Sequence, residues 1–340
     1  MIVSALSAAY GAVATWRRRW YARSGRQRHL SQPVISIGNL RVGGSGKTPV
    51  VAHVAKLLLA RGERPCVLSR GYARQEKAPG VTVVSDLTGL RTDVAHAGDE
   101  PFLLARMLPG VPVLVCASRF DAGREAERQF GVTVHLLDDG FQHVALARDV
   151  DLLLVDAADL SDRVLPAGRL REPLTNAATA HALLAPVATR DEARAIAANL
   201  GIEQAFAMSR QLGVPVLLHG ATPPTGAPVL AVAGIARPER FFDDLRATGI
   251  SVAGTLTFPD HHAYSASDVV RIAQVATEKG AAAVLTTEKD AVKMTPVMEQ
   301  SPVPFLAVPL TTIVEPASEF DAWLLAQLAR ARETRRGAAS

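Results

Sequence analysis

The sequence predicts an α/β protein: a P-loop nucleoside triphosphate hydrolase-like parallel-sheet domain, a second, smaller α/β domain, and an N-terminal membrane-associated helix. Three observations predict it. Short apolar runs alternate with stretches of helical periodicity from residue 33 to beyond residue 300, the pattern of parallel strands covered on both faces by crossover helices. A glycine-rich turn, GNLRVGGSGKTP (38–49), stands between the first apolar run and the first helix of that series, where backbone amides can cradle phosphate. The length of 340 residues suffices for one large α/β domain or two smaller ones, and 48% apolar residues exclude a disordered chain.

Residues 1–16, MIVSALSAAYGAVATW, carry no charged side chain, and WRRRWYARSGR follows. Sixteen helical residues reach only about 24 Å, short of the roughly 30 Å hydrocarbon core, so a simple span is disfavoured. A secretory signal places its positive charges before the apolar run, and here they follow it. Ile2, Leu6, Val13, Trp16 and Trp20 fall near one helical face, which suits a monotopic segment on anionic lipids, aromatics at headgroup depth and arginines near phosphates. A helix packed on the domain, or a basic arm gripping an anionic ligand, are the other readings. Residues 1–30 hold six arginines and no acid, so a total charge of +4 leaves the other 310 residues at −2. A globally basic surface for nucleic acid is therefore absent, and no obligate protein partner is evident.

PVISIGN (33–39) is the first strand, Lys47 to Leu59 the first helix of the series and PCVLSRG (65–71) the second strand. VTVVS (81–85) reads as a short third. Helices start at Gly98 and Arg119, and PVLVCAS (111–117), VTVHLLDDG (132–140) and DLLLVDA (151–157) complete the series. After the looser LPAGRLREPL (165–174), a second αβ series runs from HALLAP (181–186) to PFLAVPL (304–310), and residues 317–333 form a last helix. The expected divisions are 1–30 for the helix and basic arm, 31–157 for the P-loop domain, 158–310 for the second domain and 311–340 for a C-terminal helix able to pack on the first. Cys66 and Cys116 sit in apolar runs and read as buried thiols in a reducing compartment; no Cys/His cluster has zinc spacing.

Gly46-Lys47-Thr48 is the working end of a P-loop. Gly43, Gly44, Ser45 and Gly46 let the amides curl around phosphates, Lys47 reaches the β/γ oxygens, Thr48 can ligate Mg²⁺, and Pro49 opens the helix. The strict pattern fails at Arg41, where it wants glycine. A P-loop calls for acids at a neighbouring strand end. Asp138 and Asp139 fit, the first as the metal-associated acid and the second ordering a metal-bound water or helping activate the acceptor. Gln142 and His143 follow closely. Asp99, opening a helix, reads first as a cap; at the same carboxyl edge it could polarise a hydroxyl nucleophile. The loop FPDHHAY (258–264) could supply a histidine partner, a metal site or a plain loop. Arg70, Arg119, Arg169, Arg171 and Lys289 at strand exits together suggest a cleft for a large anionic acceptor. A GTPase is disfavoured: TEKD (287–290) does not match N-K-x-D. A kinase acting on a lipid-borne substrate is favoured. A kinase for another lipid-linked or phosphorylated sugar, and a non-enzymatic ATP-binding module, are the alternatives.

Taken together, the blocks IGNLRVGGSGKTP (37–49), LSRGY (68–72), GDEP (98–101), LLDDGFQH (136–143), LPAGRLREPL (165–174), AGIARPERFF (233–242), FPDHHAYS (258–265) and LTTEKDAVK (285–293) resemble, in this order, the tetraacyldisaccharide 4'-kinase family, the lipid A 4'-kinases. The family's own loop has the GG-x-GKT form, so Arg41 is no departure. The resemblance implies ATP- and Mg²⁺-dependent phosphorylation of the 4'-hydroxyl of a lipid A disaccharide 1-phosphate at the cytoplasmic face of the bacterial inner membrane. It implies two α/β lobes with the site between them. Lys47 and Thr48 would hold phosphate and metal, Asp138 and Asp139 would be the Walker-B-like acids, and Asp99 the catalytic aspartate. His261 is the chosen partner, with His262 left open. Asn39, Arg70, Arg119, Gln142, His143, Arg169 and Arg171 are the expected acceptor contacts, the arginines meeting the 1-phosphate.

Overall fold

The computed structural model describes residues 2–339 except Ser24, Gly44, Ser45, Tyr72, Ala73, Gln75, 77–79 and Gln300. α1 (Ile2–Ala22) precedes β1 (Val34–Asn39), α2 (Lys47–Ala60), β2 (Pro65–Ser69), β3 (Thr82–Ser85), α3 (Val94–Ala97) and α4 (Asp99–Met107). β4 (Val113–Val115), α5 (Arg119–Phe130), β5 (Val134–Asp138), β6 (Val150–Leu154), β7 (Ala182–Ala185), α6 (Arg190–Leu200) and β8 (Ala205–Leu212) follow. The chain continues through β9 (Val216–His219), β10 (Val229–Ala233), α7 (Pro238–Ala247), β11 (Val252–Thr257), α8 (Ala266–Glu278), β12 (Ala283–Thr287) and α9 (Glu288–Met294). β13 (Phe305–Val308), β14 (Leu310–Glu315) and α10 (Ala317–Ala339) close it.

Two sheets result. The larger has nine strands in the order β14-β8-β7-β6-β1-β5-β2-β4-β3. Its interior pairings are parallel, and β14 and β3 are antiparallel edges. β1, β2, β4, β5, β6 and β7 are buried along their whole length, which is why they read as unbroken apolar runs rather than alternating ones. The smaller sheet has five strands, β11-β10-β12-β13-β9, with β9 antiparallel.

The domain boundary expected between 157 and 158 falls inside the larger sheet. β7 and β8 extend that sheet beyond β6 in parallel register, so the two series of apolar runs on either side of residue 157 belong to one lobe. The second lobe is an insertion. It leaves after Leu212 and returns at Leu310, and those two residues face each other where β8 pairs with β14. The Gly213 amide donates to the Pro309 carbonyl at 2.8 Å, so both crossings run side by side. α10 packs on the first lobe: Phe320, Leu324 and Leu328 lie in its core with Phe206 and the α2 valines.

α1 is longer than the 16-residue apolar stretch and lies on the 164–176 segment through one face. A Cβ on Gly11 would come within 3.1 Å of Pro173. Arg18, expected to face phosphates or solvent with its neighbours, is instead buried on Glu172. The opposite face carries Ile2, Leu6, Val13 and Trp16 with relative exposures of 78%, 54%, 61% and 63%, an exposed apolar row. Among the described residues no helix is long and apolar enough to cross a membrane. Both cysteines are buried free thiols.

Candidate active site

The carboxyl ends of both sheets meet across one cleft, lined by the glycine-rich turn on one side and by the loops after β10 and β12 on the other. Gly46 caps α2 in the left-handed region at φ 78°, which glycine adopts without a Cβ clash. Lys47 and Thr48 therefore occupy the first turn, where unpaired amides and the helix dipole favour an anion. Pro49 sits where no amide donor is required. Gly43 also has positive φ, and Gly44 and Ser45 lie outside the described residues.

Lys47 Nζ donates to Asn39 Oδ1 at 3.2 Å and stands 3.5 Å from Asp139. The Arg171 guanidinium forks onto Asp139, both contacts at 2.7 Å, and also donates to the Asn39 carbonyl at 3.1 Å. Burial works upward on the Asp139 carboxyl, but the Arg171 fork and Lys47 outweigh it and hold the group at about 2. Asp138, the buried last residue of β5, behaves oppositely. Burial pushes its carboxyl up, and the Glu100 and Asp139 charges add to the push. Its Oδ2 accepts from Ser69 at 3.2 Å, while Oδ1 has no hydrogen-bond partner among the described residues. A buried carboxylate oxygen without a donor is costly alone and suits a cation.

Asp99 is buried at the start of α4, and His261 reaches it from the other lobe: Nδ1 lies 2.8 Å from Oδ2. Burial works upward on Asp99, yet His261 and Lys289 bring its carboxyl below the ordinary range; the same hydrogen bond raises His261. His262 points elsewhere, onto Asp268 at 3.1 Å and between Phe258 and Tyr264. Asp139 and His261 are the non-glycine residues with positive φ among those described, 54° and 61°. Such backbone costs of order 1–3 kcal/mol and is held by surrounding contacts; here both examples sit in the cleft.

The remaining candidates divide. Arg119 is buried, and burial together with nearby Arg70 lowers its guanidinium to about 10. Burial, then Arg119, Arg148, Arg17 and Arg70, push His143 down to about 4, so its ring is neutral among cations. This concentration of positive charge suits an anion. Gln142 Nε2 donates to the Asn39 carbonyl at 2.9 Å and to Glu172 at 2.7 Å, which ties it to the glycine-rich turn. Arg169 is not drawn into this group and pairs with Asp162 at 3.3 Å on an exposed rim.

The sequence reasoning passed over Glu172 and Asp156. Glu172 is buried and accepts from Arg18, Gln142 and Asn176; its signal was an acid directly after Arg171 in GRLREP. Asp156, just beyond β6, receives Arg240 of the second lobe at 3.1 Å, with Arg237 at 3.6 Å.

A family model described as "Tetraacyldisaccharide-1-P 4'-kinase" matches residues 1–329. A relative from Koribacter versatilis, named tetraacyldisaccharide 4'-kinase, is 42% identical over 84% of this chain and 86% of its own. One of that name from Rhodopseudomonas palustris is 38% identical over 98% and 94%. The crystal structure of LpxK from Aquifex aeolicus in complex with ATP superposes with a TM-score of 0.76 at 33% identity, covering 96% of this chain and 100% of that one. With the match running from α1 into α10, the chain belongs to the tetraacyldisaccharide-1-P 4'-kinase family.

Proposed function

We propose that this chain transfers the γ-phosphate of ATP to the 4'-hydroxyl of a tetraacyldisaccharide 1-phosphate, from the cytoplasmic face of an inner membrane. The observation that carries the reading is the Asp99–His261 contact across the cleft, which sets a carboxylate–imidazole pair on the same sheet edge as Lys47 and Asp139. Family membership supports the reaction and the substrate class.

Lys47 and the amides at the start of α2 would bind the phosphates, with Thr48 beside them. The donor set fits Mg²⁺: Thr48, the orphaned Asp138 oxygen and the ionised Asp139 are hard oxygen ligands. When bound, Mg²⁺ neutralises phosphate charge. Asp99, oriented by His261, would accept the proton of the attacking hydroxyl. Arg70, Arg119 and neutral His143 would face the acceptor's 1-phosphate. Asn39, Gln142 and Arg171 would brace the turn from the acceptor side; Arg169 is the weakest of the proposed acceptor contacts, given its Asp162 partner. The apolar row of α1 would lie in the membrane surface on anionic lipids, so the acyl chains need not be fully buried by protein.

The test is ADP release by purified protein with Mg·ATP, with and without detergent-dispersed disaccharide 1-phosphate, following label into the lipid. Acceptor-dependent turnover with a 4'-phosphorylated product is expected, and Asp99→Asn should lose most of it. ATP hydrolysis indifferent to the lipid would remove the substrate assignment.

A further inference from the structure

The strand-exit lysine Lys289 does not stand with the arginines of the acceptor side. It opens α9 of the second lobe and lies among acids: Glu100 at 3.2 Å, Asp260 at 3.5 Å and Asp99 at 3.7 Å. Its Nζ is also 3.5 Å from His261 Nε2. Its ring partner settles the tautomer. A carboxylate only accepts, so Nδ1 carries the hydrogen toward Asp99; Nε2 then faces an ammonium, which tolerates a lone pair and repels an N–H. Lys289 is held there by a buried frame. Asp290 accepts from the Thr287 hydroxyl at 2.8 Å and the Gly234 amide at 2.9 Å, and pairs with Lys293 at 3.1 Å.

We propose that Lys289 is a positioning residue for the Asp99–His261 pair: it clamps the second lobe onto α4 and opposes protonation of His261 at Nε2, leaving Asp99 free to take the acceptor proton. The inference deepens the kinase reading and rests on it for the identity of the base. Lys289 pulls His261 down against the upward pull of Asp99, and helps hold Asp99 ionised. Among the described residues, the other charges facing the pair are Glu100 on α4, Asp260 on the histidine's own loop and Lys293 on α9. On α2, Lys47 is engaged with Asn39 and Asp139, and His53 and Lys56 face Asp321 and Glu288. His96 of α3 pairs outward with Asp93 and Glu76.

Full-length protein labelled with ¹⁵N-histidine, its His261 signal assigned by loss in His261→Gln, reads the effect without turnover. In Lys289→Met the His261 midpoint should move up by about one pH unit, a tenfold change in proton affinity, and in Lys289→Arg it should stay near wild type. The acid limb of kcat/KM should move up with it. If Lys289→Met does not fold, Lys289→Gln serves in its place. An unmoved His261 midpoint overturns the proposal whatever happens to activity, and so does a rise confined to the KM for acceptor. If the wild type transfers no phosphate to the lipid, the kinase reading fails in the assay, while the histidine titration still decides whether Lys289 opposes the proton.

Discussion

The two histidines of the 258–264 loop differ in everything but their sequence neighbours. His261 has a left-handed backbone and a buried carboxylate partner across the cleft, whereas His262 has a partner within its own lobe and two aromatic rings around it. His261→Gln should therefore lower kcat by about 10²–10⁴-fold, the range for losing an acid–base group. His262→Gln should keep kcat within about threefold and cost about 1 kcal/mol of stability for the hydrogen bond. Steady-state kinetics with parallel urea titrations separate the two, and equal kinetic losses would contradict the geometry. The sequence placed DHH at a strand exit but could not distinguish these rings, because the choice depends on α4 of the other lobe. Arg171 gives a second test. Since it holds Asp139 below the ordinary carboxylate range, the pair stabilises the fold above about pH 4 and loses that contribution as pH falls toward 2. The stability difference between wild type and Arg171→Gln should be constant above about pH 5 and shrink in acid.

At the scale of elements, α1 has two faces with different tasks. At 100° per residue, Gly11, Thr15 and Arg18 form one stripe, opposite Ile2, Leu6, Val13 and Trp16. The apolar stripe was legible as such. The inward turn of Arg18 was not, because three consecutive arginines look alike until Gly11, two turns earlier, marks the packed side. Arg18 forks onto Glu172 with contacts of 3.1 and 3.0 Å, donates to the Phe141 carbonyl at 2.9 Å and stacks 4.2 Å from the Phe141 ring. Glu172 adjoins Arg171, so α1 and the glycine-rich turn share one buried polar cluster. Arg18→Met leaves the Glu172 charge buried without its main partner and should cost about 3–5 kcal/mol. Arg18→Met/Glu172→Met should recover much of that loss, because the orphaned charge is gone. Chemical denaturation of the wild type, the two single variants Arg18→Met and Glu172→Met, and the double variant measures the coupling; additive losses would mean that the two side chains act separately.

On the scale of the whole molecule, the chain order and the lobes do not coincide. The alternation of apolar runs and helices made a parallel α/β architecture legible, but such alternation looks the same whichever sheet a strand joins. The division at 157/158 therefore puts residues 158–212 in the wrong lobe, and the 311–340 division counts most of the return strand β14 with the C-terminal helix. The larger sheet is discontinuous: β14 and α10 come from the far side of the insertion, and Phe320 packs against Phe206 with ring centroids 5.1 Å apart. The smaller sheet, by contrast, is drawn from one stretch between Gly213 and Pro309, with core clusters on both faces. Residues 214–309 expressed alone should fold cooperatively, giving a sigmoidal urea transition and dispersed amide resonances. Residues 31–157 alone should not, since they end at β6 with its edge unpaired and lack α10 over the core. The converse result, a folded 31–157 beside a molten 214–309, would place the folding boundary near residue 157 and not at the paired crossings of β8 and β14.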